Sequence, residues 1–169
     1  MTPHSGRGSK LVVQEATPDW TAGTFENVMI TLMMKRGTPA QMRRLQQIHD
    51  GWYAKHPQGI ATFNIVLPST LLPEQGAHEA AAAALSAMQD HHLASTTVIL
   101  GDGFWAATMR SLLTTIFAVS RSRVPQKVAS TVEEGAELQS MILGAKGPTT
   151  AGLIDACRTL IRSYDADTK

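Results

Sequence analysis

Gly101, Asp102 and Gly103 separate an apolar run from a long amphipathic pattern in VILGDGFWAATMRSLLTTIF, residues 98–117. A glycine turn between a strand and a helix presents backbone N–H groups and a helix N-terminus, which together favour anions. Gly101, Asp102, Gly103 and Phe104 are therefore candidate ligand-binding residues. Three features oppose a phosphate cradle. The loop has no P-loop Lys-Ser/Thr, it is too short for a dinucleotide fingerprint, and Asp102 puts a negative charge where phosphate would lie. The competing reading is structural: the glycines allow a tight turn and Asp102 caps the helix.

Ser69 and Thr70 follow a predicted strand, where a hydroxyl is a candidate for phosphorylation or for nucleophilic attack. A nucleophile needs a base and an orienting acid. None of His4, His49, His56, His78, His91 and His92 stands in a Ser-His-Asp pattern. His78 and His91 fall at opposite ends of one predicted helix, too far apart to share a metal. Asp90, His91 and His92 are adjacent and would fan around the helix axis rather than converge. They read as a helix end, where histidine suits the dipole. No carboxylate pair stands out, so no catalytic residue, metal ligand or cofactor is assigned. Cys157 lies within an apolar stripe and reads as a small buried hydrophobe.

Composition narrows the class. The chain has 169 residues, 43% hydrophobic and 17% charged, which suits one folded domain with a substantial core. The formal net charge is +1, so no global field favours nucleic acid. A single cysteine excludes an intramolecular disulfide and points to a reducing, cytoplasmic setting. The first ten residues lack a signal-peptide pattern, and no apolar run reaches the roughly 18 residues that membrane insertion requires.

The elements that must position these residues follow from periodicity and punctuation. Residues 1–9 read as a flexible tail. Strands are predicted over 10–16, 25–34, 60–67, 96–100 and 126–130, with 17–24 as a turn because it carries Pro18, Asp19 and Gly23. Helices are predicted after Thr38-Pro39-Ala40-Gln41, over 77–92, over 104–122, and from Thr131-Val132-Glu133-Glu134 to about 143. Both tetrapeptides are capping-box candidates. Residues 144–150 read as a linker and 151–164 as a final helix. Strands alternating with helices require crossovers. The expected fold is α/β, with a mixed, mostly parallel sheet of about five strands, helices packed on it, and an extra C-terminal amphipathic helix. The expected core is Val28, Ile30, Leu32, Leu45, Trp52, Ile65, Leu85, Val98, Ile99, Leu112 and Ile116.

This order resembles the STAS-type fold of anti-sigma-factor antagonists over residues 10–143. The resemblance rests on the N-terminal hairpin and on GTPAQMRRLQQIHDGWYAKHP, TTVILGDGFWAATMRSLLTTIF and QKVASTVEEGAEL. It implies a non-enzymatic regulatory or protein-interaction module. Those antagonists carry an Asp-Ser phosphorylation motif. Here Pro68 precedes Ser69, so the motif's acid is missing. The alternative function is a small-molecule or anion-binding domain, or a hydrolase, that uses the Gly101–Gly103 turn.

A STAS-like domain is complete by about residue 143, which leaves the last helix as a surplus. Its stripe of Leu153, Ile154, Cys157, Leu160, Ile161 and Tyr164 must be buried on its own domain or on a second copy. The expectation is a homodimer to which this helix, or the face it leaves exposed, contributes; any other protein partner is unnamed by the sequence.

Overall fold

Three same-direction crossovers organise this molecule. The computed structural model describes residues 9–68, 70–120 and 122–167. Its strands are β1 (Val12–Ala16), β2 (Trp20–Phe25), β3 (Val28–Met33), β4 (Ile60–Val66), β5 (His92–Ile99) and β6 (Gln126–Ala129). Its helices are α1 (Pro39–Tyr53), α2 (Ala77–Met88), α3 (Gly103–Ser120), α4 (Val132–Leu143) and α5 (Thr150–Asp167). The six strands lie in chain order, β1-β2-β3-β4-β5-β6. The first three pair antiparallel and the last three join in parallel. Each parallel step runs through one helix and moves the same way across the sheet. Right-handed crossovers then put α1, α2 and α3 on one face. The opposite face is left for α4 and α5. Among the described residues, no helix is long and apolar enough to cross a membrane.

The α/β class and the mostly parallel sheet agree with the sequence, but the sheet has six strands rather than five. The extra one is β2, within the segment read as a turn. Thr17 makes the tight turn itself: its hydroxyl accepts from the backbone of Asp19 and Trp20. Gly23 is a strand residue because the Leu11 side chain crosses over it. A Cβ there would stand 2.9 Å from Leu11 Cδ1. A two-residue turn, with Glu26 at φ 52°, then joins β2 to β3.

Two helix starts form as the sequence predicts. Thr38 and Thr131 each accept at the side chain from the residue three positions on, at 3.1 Å. Pro39 occupies the first turn of α1. The reciprocal half of each box is redirected: Gln41 donates to Met33 Sδ, and Glu134 accepts from the Ser130 backbone.

The α4/α5 face is largely apolar and close-packed. Val28, Ile30 and Leu32 of β3, and Phe63 and Ile65 of β4, are fully buried there with Leu153, Cys157 and Leu160 of α5. Arg158 of α5 also pairs with Glu133 of α4 at 2.6 Å. The apolar stripe assigned to an interface thus lies largely in the chain's own core, with Ile154, Ile161 and Tyr164 packed against its margin. The last helix is no surplus. It covers β2 and β3, which the single face-crossing helix α4 does not reach, and the argument for a homodimer from an unburied stripe loses its premise.

Candidate functional site

The other face of the sheet is built differently. The alternation that turns Ala61, Phe63 and Ile65 toward α4 and α5 turns Thr62 and Asn64 toward α1, α2 and α3. Thr31 of β3 and Ser95 and Thr97 of β5 share this face. The helical layer opposite is short-chained too. Ala77, Ala81 and Ala84 recur at helical spacing along the inward side of α2. Small residues on both walls leave a gap that the backbones cannot close, a cavity of about 190 Å³.

Its walls are Met33, Met42, Leu45, Leu85, Met88 and Met109, with further apolar groups from α3. This explains two departures from the expected core. Leu45 and Leu85 are only half-buried because they face the cavity. No Asp, Glu, Lys or Arg lines it, and its one titratable side chain, His78, pairs with Glu79 at 2.8 Å.

The floor is a row of hydroxyls and one amide, mostly bonded to each other. Thr31 donates to Asn64 Oδ1 at 2.7 Å, and Thr62 donates to Ser95 Oγ at 3.0 Å. Among the described residues, the Asn64 amide nitrogen has no hydrogen-bond partner. Asn64 is only half-buried and this nitrogen is not sealed from solvent, so its two N–H donors are open to an acceptor that enters the cavity.

At the N-terminal end of β5 lies a second cluster. The α2 helix stops at Met88 rather than at residue 92, and His92 opens a strand that begins four residues earlier than predicted. The helix-end reading of His91 and His92 is corrected accordingly: β-branched residues dominate 96–99, and the backbone of Ile60 bonds to the His91 carbonyl, which draws the segment into the sheet. This brings His91 and His92 to His49 of α1, each ring centroid 5.4 Å from that of His49. Tyr53 stacks on His91 at 3.8 Å. Burial pulls His49 down from 6.5 to about 4, against the opposing pull of the Asp50 carboxylate 3.6 Å away. Burial likewise lowers His92 to about 3. Both rings are therefore neutral at ordinary pH.

The residues singled out from sequence are distributed elsewhere. Gly101 and Gly103 have φ of 99° and 78°, so both need the left-handed region open to glycine. Asp102 is exposed, Phe104 is 88% exposed, and none of the four lines the cavity. The strands lie in chain order, so no reversal of strand order opens a crevice beside this turn. Thr70 is buried, lines the cavity, and donates its hydroxyl to the Met33 carbonyl at 2.8 Å. Ser69 lies outside the described residues. Cys157 is fully buried, and burial raises its thiol above the usual range.

Asn64 and His49 were missed in the sequence. A signal for the first was present: Thr62 and Asn64 in IATFNIVL and Ser95 and Thr97 in HLASTTVI make a polar face of period two, in strands that helices must cover on both sides. No local signal pairs His49 with His91, because only the β/α order joins them. No family model, curated protein or solved structure matches this chain.

Proposed function

We propose that this chain is a non-enzymatic binding module whose cavity between sheet and helices takes one small uncharged molecule with a hydrogen-bond acceptor at one end. The observation that carries the reading is the unpartnered Asn64 amide on the floor of a cavity without charged groups. Size supports it. A cavity of roughly 150 Å³ holds a benzene ring, and this one, at about 190 Å³, suits a ring with a short substituent. The STAS-like resemblance supports a regulatory role for such binding, and the single cysteine supports a cytoplasmic one.

Titration of the full chain with 4-ethylphenol, followed by calorimetry, tests this. Saturable one-site binding is expected with a Kd on the order of 0.1–1 mM, which corresponds to roughly 4–5.5 kcal/mol. Ethylbenzene, which lacks the polar end, should bind about tenfold more weakly. Asn64→Leu should erase that difference, and Ala84→Leu should fill the cavity, abolish binding and raise the melting temperature. Equal binding by wild type and Ala84→Leu would place the ligand elsewhere and end the proposal.

A second reading, a protein-interaction surface used by a second copy of the chain, is favoured by one observation. Leu71, Leu72 and Phe104 are exposed beside the hydrogen bond from Trp105 Nε1 to the Thr70 carbonyl. Light scattering should then give twice the chain mass for wild type and the single mass for Phe104→Asp; a single mass for both rejects this reading.

A further inference from the structure

We propose that His49, Asp50 and His91 form a site for one divalent transition-metal ion of the zinc type, which ties the last turns of α1 to the start of β5. One donor atom from each residue lies within 4.8 Å of the other two. His49 is fully buried, and neither of its ring nitrogens has a hydrogen-bond partner. His91 Nε2 is also buried without a partner. Three buried imidazole nitrogens with no bond made to them are a costly arrangement for a structural cluster. A cation at the shared point would engage one nitrogen of each ring.

The donor set selects the ion. Two imidazoles and one carboxylate suit zinc and its neighbours, whereas magnesium and calcium ask for oxygen ligands. Tetrahedral zinc with bonds of about 2.0–2.1 Å sets its ligand atoms about 3.3 Å apart. The present separations exceed that by at most about 1.5 Å, a distance that side-chain rotation covers. Asp50 has the freedom to make this movement, since its side chain is 56% exposed and its Oδ1 already stands 3.6 Å from His49 Nδ1. His91 does not need to turn far. Tyr53 lies nearly parallel to its ring, at 19°, and holds it in place. His92 packs edge-on against His49 and is itself bonded through Nε2 to Thr62 Oγ1 at 3.0 Å, so it braces the site without being one of its ligands. Three protein ligands leave a fourth position, on the exposed Asp50 side, for water.

The cluster is separate from the cavity: none of the three residues lines it. Loss of the ligand-binding reading would therefore leave the metal site untouched.

Zinc binding by the full chain, stripped of metal with a chelator, is the test. Competition against a chromophoric zinc chelator should show one equivalent bound, and Co²⁺ in place of zinc should give the visible absorption of a low-coordinate complex. Asp50→Asn and His91→Ala should each weaken binding at least tenfold. His56→Ala, which changes a nearby ring that supplies no ligand, should leave it unchanged. His49 is left intact in these variants because its replacement opens the core. Should His91→Ala fail to fold, Asp50→Asn decides alone, since that side chain is half-exposed. Absence of stoichiometric zinc binding in wild type, or equal affinity in wild type and Asp50→Asn, overturns the proposal.

Discussion

Truncation after Gly147 should abolish cooperative unfolding. The deleted segment carries Leu153, Cys157 and Leu160, all fully buried against the sheet, and Ile154, Ile161 and Tyr164 at the margin of the same core. At roughly 1.5–3 kcal/mol for each large side chain, their burial represents on the order of 10 kcal/mol of gross stabilisation. A domain of this kind has a net stability of only about 5–15 kcal/mol. The truncated chain would also expose Phe25, which packs against Gly152, and the inner face of β3. Near-ultraviolet circular dichroism and a thermal melt check the outcome. The full chain should melt in one transition, and the truncated one should show none. A truncated protein that melts sharply within a few degrees of the full chain would show α5 to be dispensable. The point substitution Leu160→Ala should cost about 2–5 kcal/mol by the same argument.

Gly135→Val should cost about 3 kcal/mol or more, and lower the melting temperature by roughly 6–12 °C. Gly135 sits in α4 where the helix comes closest to the sheet. A Cβ at this position would stand 2.6 Å from Val98 Cγ2 and 2.9 Å from Phe63 Cζ. Val98 and Phe63 are themselves fully buried, so neither has room to retreat. The helix must lift, and Gln139, one turn on, would lose its bonds to Thr96 and to the Thr62 carbonyl. Gly51 supplies the contrast. It lies on the exposed side of α1, and nothing stands within 4 Å of a Cβ there. Gly51→Ala should therefore stabilise by about 0.4–1 kcal/mol, since only the helix preference of alanine is felt. Chemical denaturation of the two variants beside wild type should move the midpoints in opposite directions. Equal midpoints for Gly135→Val and wild type would mean that α4 has slack the structure does not show.

The parts of this fold that were legible in the sequence are those decided within a few residues. Thr38-Pro39 and Thr131 start helices because the side chain that caps each one stands three positions from the N–H it meets. The apolar parity of Val28, Ile30 and Leu32 announces a buried strand face. Strand β2 was hidden because Pro18, Asp19 and Gly23 are turn residues by local preference. Only the crossing of Leu11 explains the glycine. The cavity was hidden for another reason. Thr62 and Asn64 look like solvent-facing residues until the three crossovers put a helical layer over them. His49 and His91 each have an ordinary local reading, and it takes the fold to set their rings 5.4 Å apart.

The chain-order sheet also bears on how the molecule assembles. Each strand pairs with its neighbours in sequence, so the sheet can grow from the β1–β3 meander outward with only short or single-helix loop closures. The entropy lost in closing a loop rises slowly with its length, so each single-helix crossover costs little more than a shorter connection. One element breaks this pattern. Helix α5 returns from the end of the chain to lie on β2 and β3, and the Asn27 side chain donates to the Lys146 carbonyl at 2.8 Å just before it. That return is the longest closure in the molecule. Docking of α5 brings the two ends of the chain together across one face of the sheet, so the C-terminal helix closes over the strands that the N-terminal segment opens.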